Sequence, residues 1–156
     1  MKSLETLFMS ETGTPSILLM EHAAAGVAAA IARHAPKSAR VLFLCGPGNN
    51  GGGGQADVWE VTSAVRGDAL TNRTLALLHG VRILPSADAV DVAEYAAVVD
   101  ALYGTGLNHA IEGDAAILIH RLSDHPQIPV IAVDIPSGLD GTTGRALGAD
   151  VVRAAE

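Results

Sequence analysis

The sequence predicts a single α/β domain built on an open, mostly parallel sheet. Three observations point there. Val41-Leu42-Phe43-Leu44-Cys45 is an unbroken apolar run closed by Gly46-Pro47, the pattern of a strand covered on both faces. Strand-like runs alternate with helix-like segments along the chain. Glycine-bearing loops follow three of those strands, and in an open parallel sheet such loops emerge on one edge, where ligands bind. A length of 156 residues suits one domain, 1–156, and neither a repeat nor a linker divides it. A chain of this size buries about 68–70% of its unfolded surface, enough for a core.

The elements follow in order. Met1–Gly13 is mixed and reads as a short helix. Thr14-Pro15 reads as an N-cap with proline at the first helical position. Ile17, Met20, Ala24, Val27 and Ile31 then mark one helical face, and His34-Ala35-Pro36 ends the helix, because the residue before proline avoids helical backbone. After the strand 41–45 come a glycine-rich stretch and a short strand around Val58–Val61. Ala69–His79 is a helix with Gly80 as its C-cap, and Val81–Leu84 is a strand. Ala96–Ala101 is an apolar strand ending at Asp100 and the loop Tyr103-Gly104-Thr105-Gly106. Asp114 is placed to cap a helix through Ile117, Leu118 and Leu122. Val130–Val133 is the last strand, running into Asp134-Ile135-Pro136-Ser137-Gly138. Met20 and Trp59 are assigned to the core.

Composition excludes several functions. Hydrophobic residues make up 49% of the chain, so intrinsic disorder is excluded. The net charge is −7, and Lys2 and Lys37 are the only lysines, which argues against gripping a nucleic-acid backbone. A lone cysteine, Cys45, rules out an internal disulfide and a multi-cysteine zinc site; inside an apolar run it reads as an inert buried thiol. The apolar stretch Ala23–Ala32 is too short to span a bilayer, and Met1-Lys2-Ser3 does not open a secretory signal, so the expected setting is cytoplasmic, with no membrane partner. His22, His34, His79, His109, His120 and His125 lack metal-ligand spacing.

Gly46-Pro47-Gly48-Asn49-Asn50-Gly51 satisfies G-x-G-x-x-G after a strand, but the dinucleotide fingerprint also needs a helix to open at its end. Gly51-Gly52-Gly53-Gly54 is a poor helix start. Only residues 46–56 separate the two strands, fewer than a parallel crossover usually takes. An ordinary NAD-binding dehydrogenase domain is therefore disfavoured, and the P-loop signature is absent.

Leu19-Met20-Glu21-His22-Ala23, Cys45-Gly46-Pro47-Gly48-Asn49-Asn50-Gly51-Gly52, Val99-Asp100-Ala101-Leu102-Tyr103-Gly104-Thr105-Gly106-Leu107, Val133-Asp134-Ile135-Pro136-Ser137-Gly138-Leu139-Asp140 and Thr143-Gly144 occur in that order. Over Pro15–Arg153 the chain thereby resembles the NAD(P)H-hydrate epimerase family, the YjeF N-terminal domain. The resemblance implies a Rossmann-like three-layer α/β/α sandwich, interconversion of the R and S forms of hydrated NADH or NADPH (NADHX and NADPHX), a potassium ion as cofactor, an NAD(P)HX dehydratase as functional partner, and a homodimer. Carried over by motif, it implies substrate contacts from Asn49, Asn50, Gly51, Gly52, Gly53, Gly104, Thr105, Gly106, Leu107, Asn108, His109, Ala110 and Asp134. It implies potassium ligation by Asn50, Asp100 and Ser137.

The residue types suit those roles. Amide, carboxylate and hydroxyl oxygens fit a hard cation. Backbone N–H groups of glycine-rich loops form concavities for pyrophosphate. Epimerisation at carbon 6 of the hydrated nicotinamide needs a group that gives and takes a proton, and Asp134 is the candidate general acid/base. Each residue also has a plainer reading. Asp100 and Asp134 can cap nearby backbone N–H groups, Ser137 suits a turn, and Asn49-Asn50 tolerate left-handed backbone.

The chain departs from the family pattern Asn-Asn-Gly-Gly-Asp-Gly, because Gly53 stands where the aspartate belongs. Gly54-Gln55 then joins almost directly to the next strand, as if the helix after the loop were deleted and bridged by glycines. By the same comparison with the family pattern, its further C-terminal strands are expected to be lacking as well. Dimerisation is expected to cover the apolar surface these losses expose. An epimerase is the leading reading, with its activity lowered by Gly53 and the lost helix; the alternative is a catalytically inactive binding or dimerisation module of the same fold.

Overall fold

A computed structural model of the chain describes residues 11–13, 16–36, 38–46 and 56–155. Helix α1 spans Ser16–His34 and carries Arg33 and His34 in its last turn, where the helix dipole favours positive charge. Strand β1 (Val41–Cys45) is buried along its whole length, as its unbroken apolar run requires. Then follow β2 (Ala56–Glu60), α2 (Asp68–Leu78), β3 (Arg82–Leu84), two short 3₁₀ turns, β4 (Ala97–Ala101), α3 (Gly113–Ser123) and β5 (Val130–Ala132).

The five strands form one parallel sheet in the order β3-β2-β1-β4-β5. β1 lies at its centre, with Val41 opposite both Ala56 and Ala97 and Cys45 opposite both Glu60 and Ala101. Parallel pairing of β1 with β2 over so short a connection runs against the length rule, but distance permits it. Residues 46–55 can reach roughly 33 Å when extended. The return covers roughly 13 Å of strand and one step of roughly 5 Å across. The expected loss of a helix here falls on residues 47–55, which lie outside the described residues, as do Thr14-Pro15 and the short helix expected before Gly13, except for residues 11–13.

Alternation along the strands builds two cores. Leu42, Leu44, Trp59, Leu84 and Val98 pack with Leu118, Ile119 and Leu122 of α3 on one face. Val41, Phe43, Val58, Val99 and Ile131 pack on the other face with Ala30, Val27 and Ile31 of α1 and Ala76 of α2. Leu42, Leu44 and Leu118 are fully buried, which stabilises the fold by about 1.5–3 kcal/mol each. Trp59 belongs to the core as expected; the side chain of Met20 lies outside what is described.

Some boundaries move. β2 begins two residues before Val58 and ends at Glu60. α3 begins at Gly113 with the extended Glu112 at its N-cap, so Asp114 lies in the first turn and does not cap. Gly80 adopts φ +80°, the left-handed conformation expected just beyond a helix end. After β5 the only strand-like pairing among the described residues is an isolated Leu139–Ala146 bridge. The C-terminal tail lies along the β5 side, with Val152 N–H donating to the Ser137 carbonyl (2.9 Å) and Ala155 N–H to the Val130 carbonyl (2.7 Å).

At the amino ends of the strands, the buried Asp57 carboxylate accepts from Arg82 Nε (3.0 Å) and Nη2 (2.7 Å), from Tyr95 Oη (2.8 Å), and from Arg40. Burial pushes this carboxyl up, but the hydrogen bonds from Arg82, Tyr95 and Arg40 outweigh it and hold it at about 2. The cluster ties the starts of β1, β2 and β3 together, at the end of the sheet opposite the carboxyl ends of the strands. No helix among the described residues is long and apolar enough to cross a membrane.

Candidate active site

The strand order places a topological switch point between β1 and β4: the chain steps outward from β1 through β2 to β3, and from β4 to β5 in the other direction. Loops leaving the carboxyl ends of two such strands part and leave a crevice. The loop from β1 starts at Gly46, whose N–H donates to the Ala101 carbonyl at 2.9 Å. A Cβ at position 46 would lie 1.7 Å from the Leu102 carbonyl oxygen, so the approach of the two chains admits only glycine.

Asp100, near the end of β4, is 2% exposed, and Ser137, in the loop after β5, is 1% exposed. Their side chains meet. Ser137 Oγ donates to Asp100 Oδ1 at 2.7 Å, and Ser137 N–H donates to Oδ2 at 2.8 Å. Leu102 N–H donates to Oδ1 at 3.3 Å. Ser137 Oγ also accepts from Tyr103 N–H at 3.0 Å and lies 3.1 Å from the Tyr103 carbonyl. Burial pushes the Asp100 carboxyl up, and the bonds from Ser137 and Leu102 pull it part of the way back. Among the described residues, every group hydrogen-bonded to Asp100 is neutral.

Asp134 lies just beyond β5 and is exposed. Its Oδ2 accepts from Thr105 N–H at 3.1 Å. It sits where any Cβ on residue 104 would come within 2.3 Å, so Gly104 makes the room for the carboxylate. The β4 and β5 loops interlock further on, with Gly141 against the Thr105 backbone and Gly148 against Ala110. Leu107 is buried and its N–H donates to the Gly104 carbonyl at 3.1 Å. Asn108 is exposed, and the exposed His109 turns its Nδ1 to the Ala110 carbonyl at 2.8 Å.

The structure thus brings together two sets of the residues singled out from sequence: Asp100 with Ser137, and Gly104 and Thr105 with Asp134. Asn49, Asn50, Gly51, Gly52 and Gly53 lie outside the described residues. Sequence reasoning missed the backbone of Tyr103, which brackets the Ser137 hydroxyl, and the close-packed Gly141 and Gly148. Backbone contacts leave no side-chain signal, and a glycine required by packing looks in sequence like a glycine required by a turn.

Comparison with known proteins gives the same frame. The family described as YjeF-related protein N-terminus matches residues 16–155. A bifunctional NAD(P)H-hydrate repair enzyme of Thermanaerovibrio acidaminovorans is 36% identical over 89% of this chain, which spans 31% of that protein's length. An NAD(P)H-hydrate epimerase of Limosilactobacillus fermentum is 31% identical, covering 97% of this chain and 78% of its own length. The epimerase of Rhodopirellula baltica is 35% identical, covering 92% and 65%. In fold, the chain is similar to the crystal structure of yeast ynu0, with a TM-score of 0.82 at 22% identity, covering 97% of this chain and 73% of that one.

Proposed function

The chain belongs to the family of YjeF-related protein N-termini, and on that premise we propose that it is an NAD(P)H-hydrate epimerase, interconverting the R and S forms of hydrated NADH or NADPH for cofactor repair. The observation that carries the reading is the interlock of the β4 and β5 loops at the switch point, with Asp134 held over Gly104 by the Thr105 N–H. Single-function relatives that align over nearly the whole chain bear the epimerase name, which favours an enzyme over an inactive module of the same fold.

In this reading Asp134 is the proton-transfer group. A proton delivered to the hydroxyl on carbon 6 lets it leave as water, while the ring nitrogen lone pair forms the carbon–nitrogen double bond. Water then adds to carbon 6 from the opposite face, the electron pair returns to nitrogen, and the carboxylate takes the proton back. Atoms and charge balance, and only the configuration changes. Gly104, Thr105, Gly106, Leu107, Asn108, His109 and Ala110 wall the substrate from the β4 side. By the family motif, Asn49, Asn50, Gly51, Gly52 and Gly53 are assigned the remaining substrate contacts.

The donors fit a potassium ion. Carboxylate, hydroxyl and carbonyl oxygens meet at Asp100, Ser137 and Tyr103, and the buried carboxylate has only neutral partners among the described residues. Asp100 and Ser137, with Asn50, would hold it, and when bound it supplies the counter-charge to Asp100. A dehydratase that consumes one epimer would draw on this activity; bifunctional repair enzymes among the relatives fit that pairing. A cytoplasmic setting and a homodimer complete the reading. The decisive experiment supplies mixed hydrate epimers together with a dehydratase specific for one of them. Full conversion of the mixture in the presence of this chain supports the proposal, and a residue of untouched epimer overturns it.

A further inference from the structure

A second concavity lies beside the switch point, over the carboxyl ends of β2 and β3 and the first turn of α3. It encloses about 620 Å³. Leu84 and Pro85 are apolar parts of its lining, and its charged lining residues are Glu60, Arg73, Glu112 and Asp114. Glu60 is the last residue of β2, and Arg73 Nε donates to both of its carboxylate oxygens at 3.0 Å. That leaves lone pairs on each oxygen for a further donor. The lining therefore holds three carboxylates against one guanidinium, and that guanidinium is already engaged. Glu112, at the N-cap of α3, makes no side-chain capping bond, and both Glu112 and Asp114 are exposed to whatever enters the cleft.

Position adds to this. Trp59 is opposite Leu44, and Leu44 is opposite Asp100, so the cleft begins two strand spacings, roughly 10 Å, from Asp100, with β5, the strand that leads to Asp134, one spacing further on. In open α/β sheets that bind dinucleotides, an acidic side chain beyond the glycine-rich turn accepts from the adenosine ribose diol. The sequence spacing conceals such a residue here. The fingerprint places it about 20 residues on, whereas the short 46–55 connection brings Glu60 up directly after the glycine run.

We propose that this cleft is the adenosine-ribose subsite of the epimerase, with Glu60 accepting from the 2′-hydroxyl, and that its acidic lining selects NADHX over the 2′-phosphorylated NADPHX. The inference rests on the epimerase reading for its substrate. A free diol donates to carboxylates, whereas a 2′-phosphate brings its own negative charge against Glu60, Glu112 and Asp114. Arg73, held by Glu60, neutralises only one of the three.

Calorimetry of the full chain with ADP-ribose and with ADP-ribose 2′-phosphate tests this without any catalytic step. ADP-ribose is expected to bind at least about 10-fold tighter, a preference of the size one well-placed charge can produce. Glu60→Gln should shrink the gap to about 3-fold or less, because it frees Arg73 and removes the acceptor charge. Glu112→Lys, on an exposed side chain, should shrink it in the same direction even if Glu60→Gln fails to fold. Equal binding of the two probes, or a preference that neither substitution moves, overturns the subsite. The epimerisation assay on the same preparations separates the two ideas. A chain that epimerises both hydrates equally keeps its activity and loses this subsite, and a chain that selects ADP-ribose without epimerising keeps the subsite and loses the activity.

Discussion

Ser137 grips Asp100 twice, its hydroxyl donating to Oδ1 at 2.7 Å and its backbone N–H to Oδ2 at 2.8 Å, across a sequence separation of 37. This two-point contact closes the β4 and β5 loops over a carboxylate that water scarcely reaches. Both groups are deeply buried, so the geometry is rigid and the loss of either partner is costly.

Ser137→Ala removes the hydroxyl and leaves Asp100 Oδ1 and Tyr103 N–H each one partner short. Unsatisfied buried groups cost about 1–3 kcal/mol, and denaturant unfolding should show a loss of that size. Potassium at fixed ionic strength should raise the unfolding temperature of the parent chain above that in sodium, because a ligand of the folded state stabilises it. The variant should lose that difference; a potassium effect that persists in it would remove Ser137 from the ion site.

Asp134→Asn keeps the shape and the Thr105 N–H bond but cannot carry the proton. Epimerisation should fall by about 10²–10⁴-fold with substrate binding little changed. Gly104→Ala should also slow turnover, because its methyl would take the place of Asp134 Oδ2. Steady-state kinetics on the two variants gives the answer, and normal turnover in Asp134→Asn excludes this aspartate from the mechanism.

Asp57 gives the stability a pH signature. Its folded-state carboxyl is held at about 2, below the ordinary 3.8. The stabilisation is therefore fully present above the unfolded value, is lost as pH falls through about 2, and amounts to about 2 kcal/mol at neutral pH. Asp57→Asn should be less stable by about that amount at pH 7, and its deficit should narrow between pH 4 and pH 2. Chemical denaturation across that range measures it; parallel pH curves for the two proteins would contradict the assignment.

Gly46→Ala tests the crossing of β1 and the β4 loop. The new methyl would fall 1.7 Å from a backbone oxygen, and backbone cannot swing away as a side chain can. Overpacking of this kind costs about 1–3 kcal/mol or more. The midpoint of denaturant unfolding should drop accordingly.

Gly53 stands where the family carries an aspartate, and ordering each residue of a glycine run costs about 1–2 kcal/mol. The chain should therefore bind the hydrated cofactor more weakly than a relative with the intact motif, and Gly53→Asp alone should recover little. Calorimetry that found micromolar or tighter binding would refute this.

The sequence by itself determined the α/β class, the buried central strand, the order of elements and the family. Each of these is written in local patterns: the apolar run Val41–Cys45, the helical spacing from Val27 to Ile31, and the motifs that recur in the family's order. It also singled out Asp100, Ser137 and Asp134, but only as members of motifs, because a carboxylate at a strand end looks the same whether it caps a backbone or faces a substrate. Tertiary structure alone decided that Asp100 and Ser137 touch, that Gly104 exists to admit Asp134, and that Glu60 lines a second cleft. Those facts depend on strand order and register, which are set by which apolar faces pack together over long separations. No local window of the chain contains both partners.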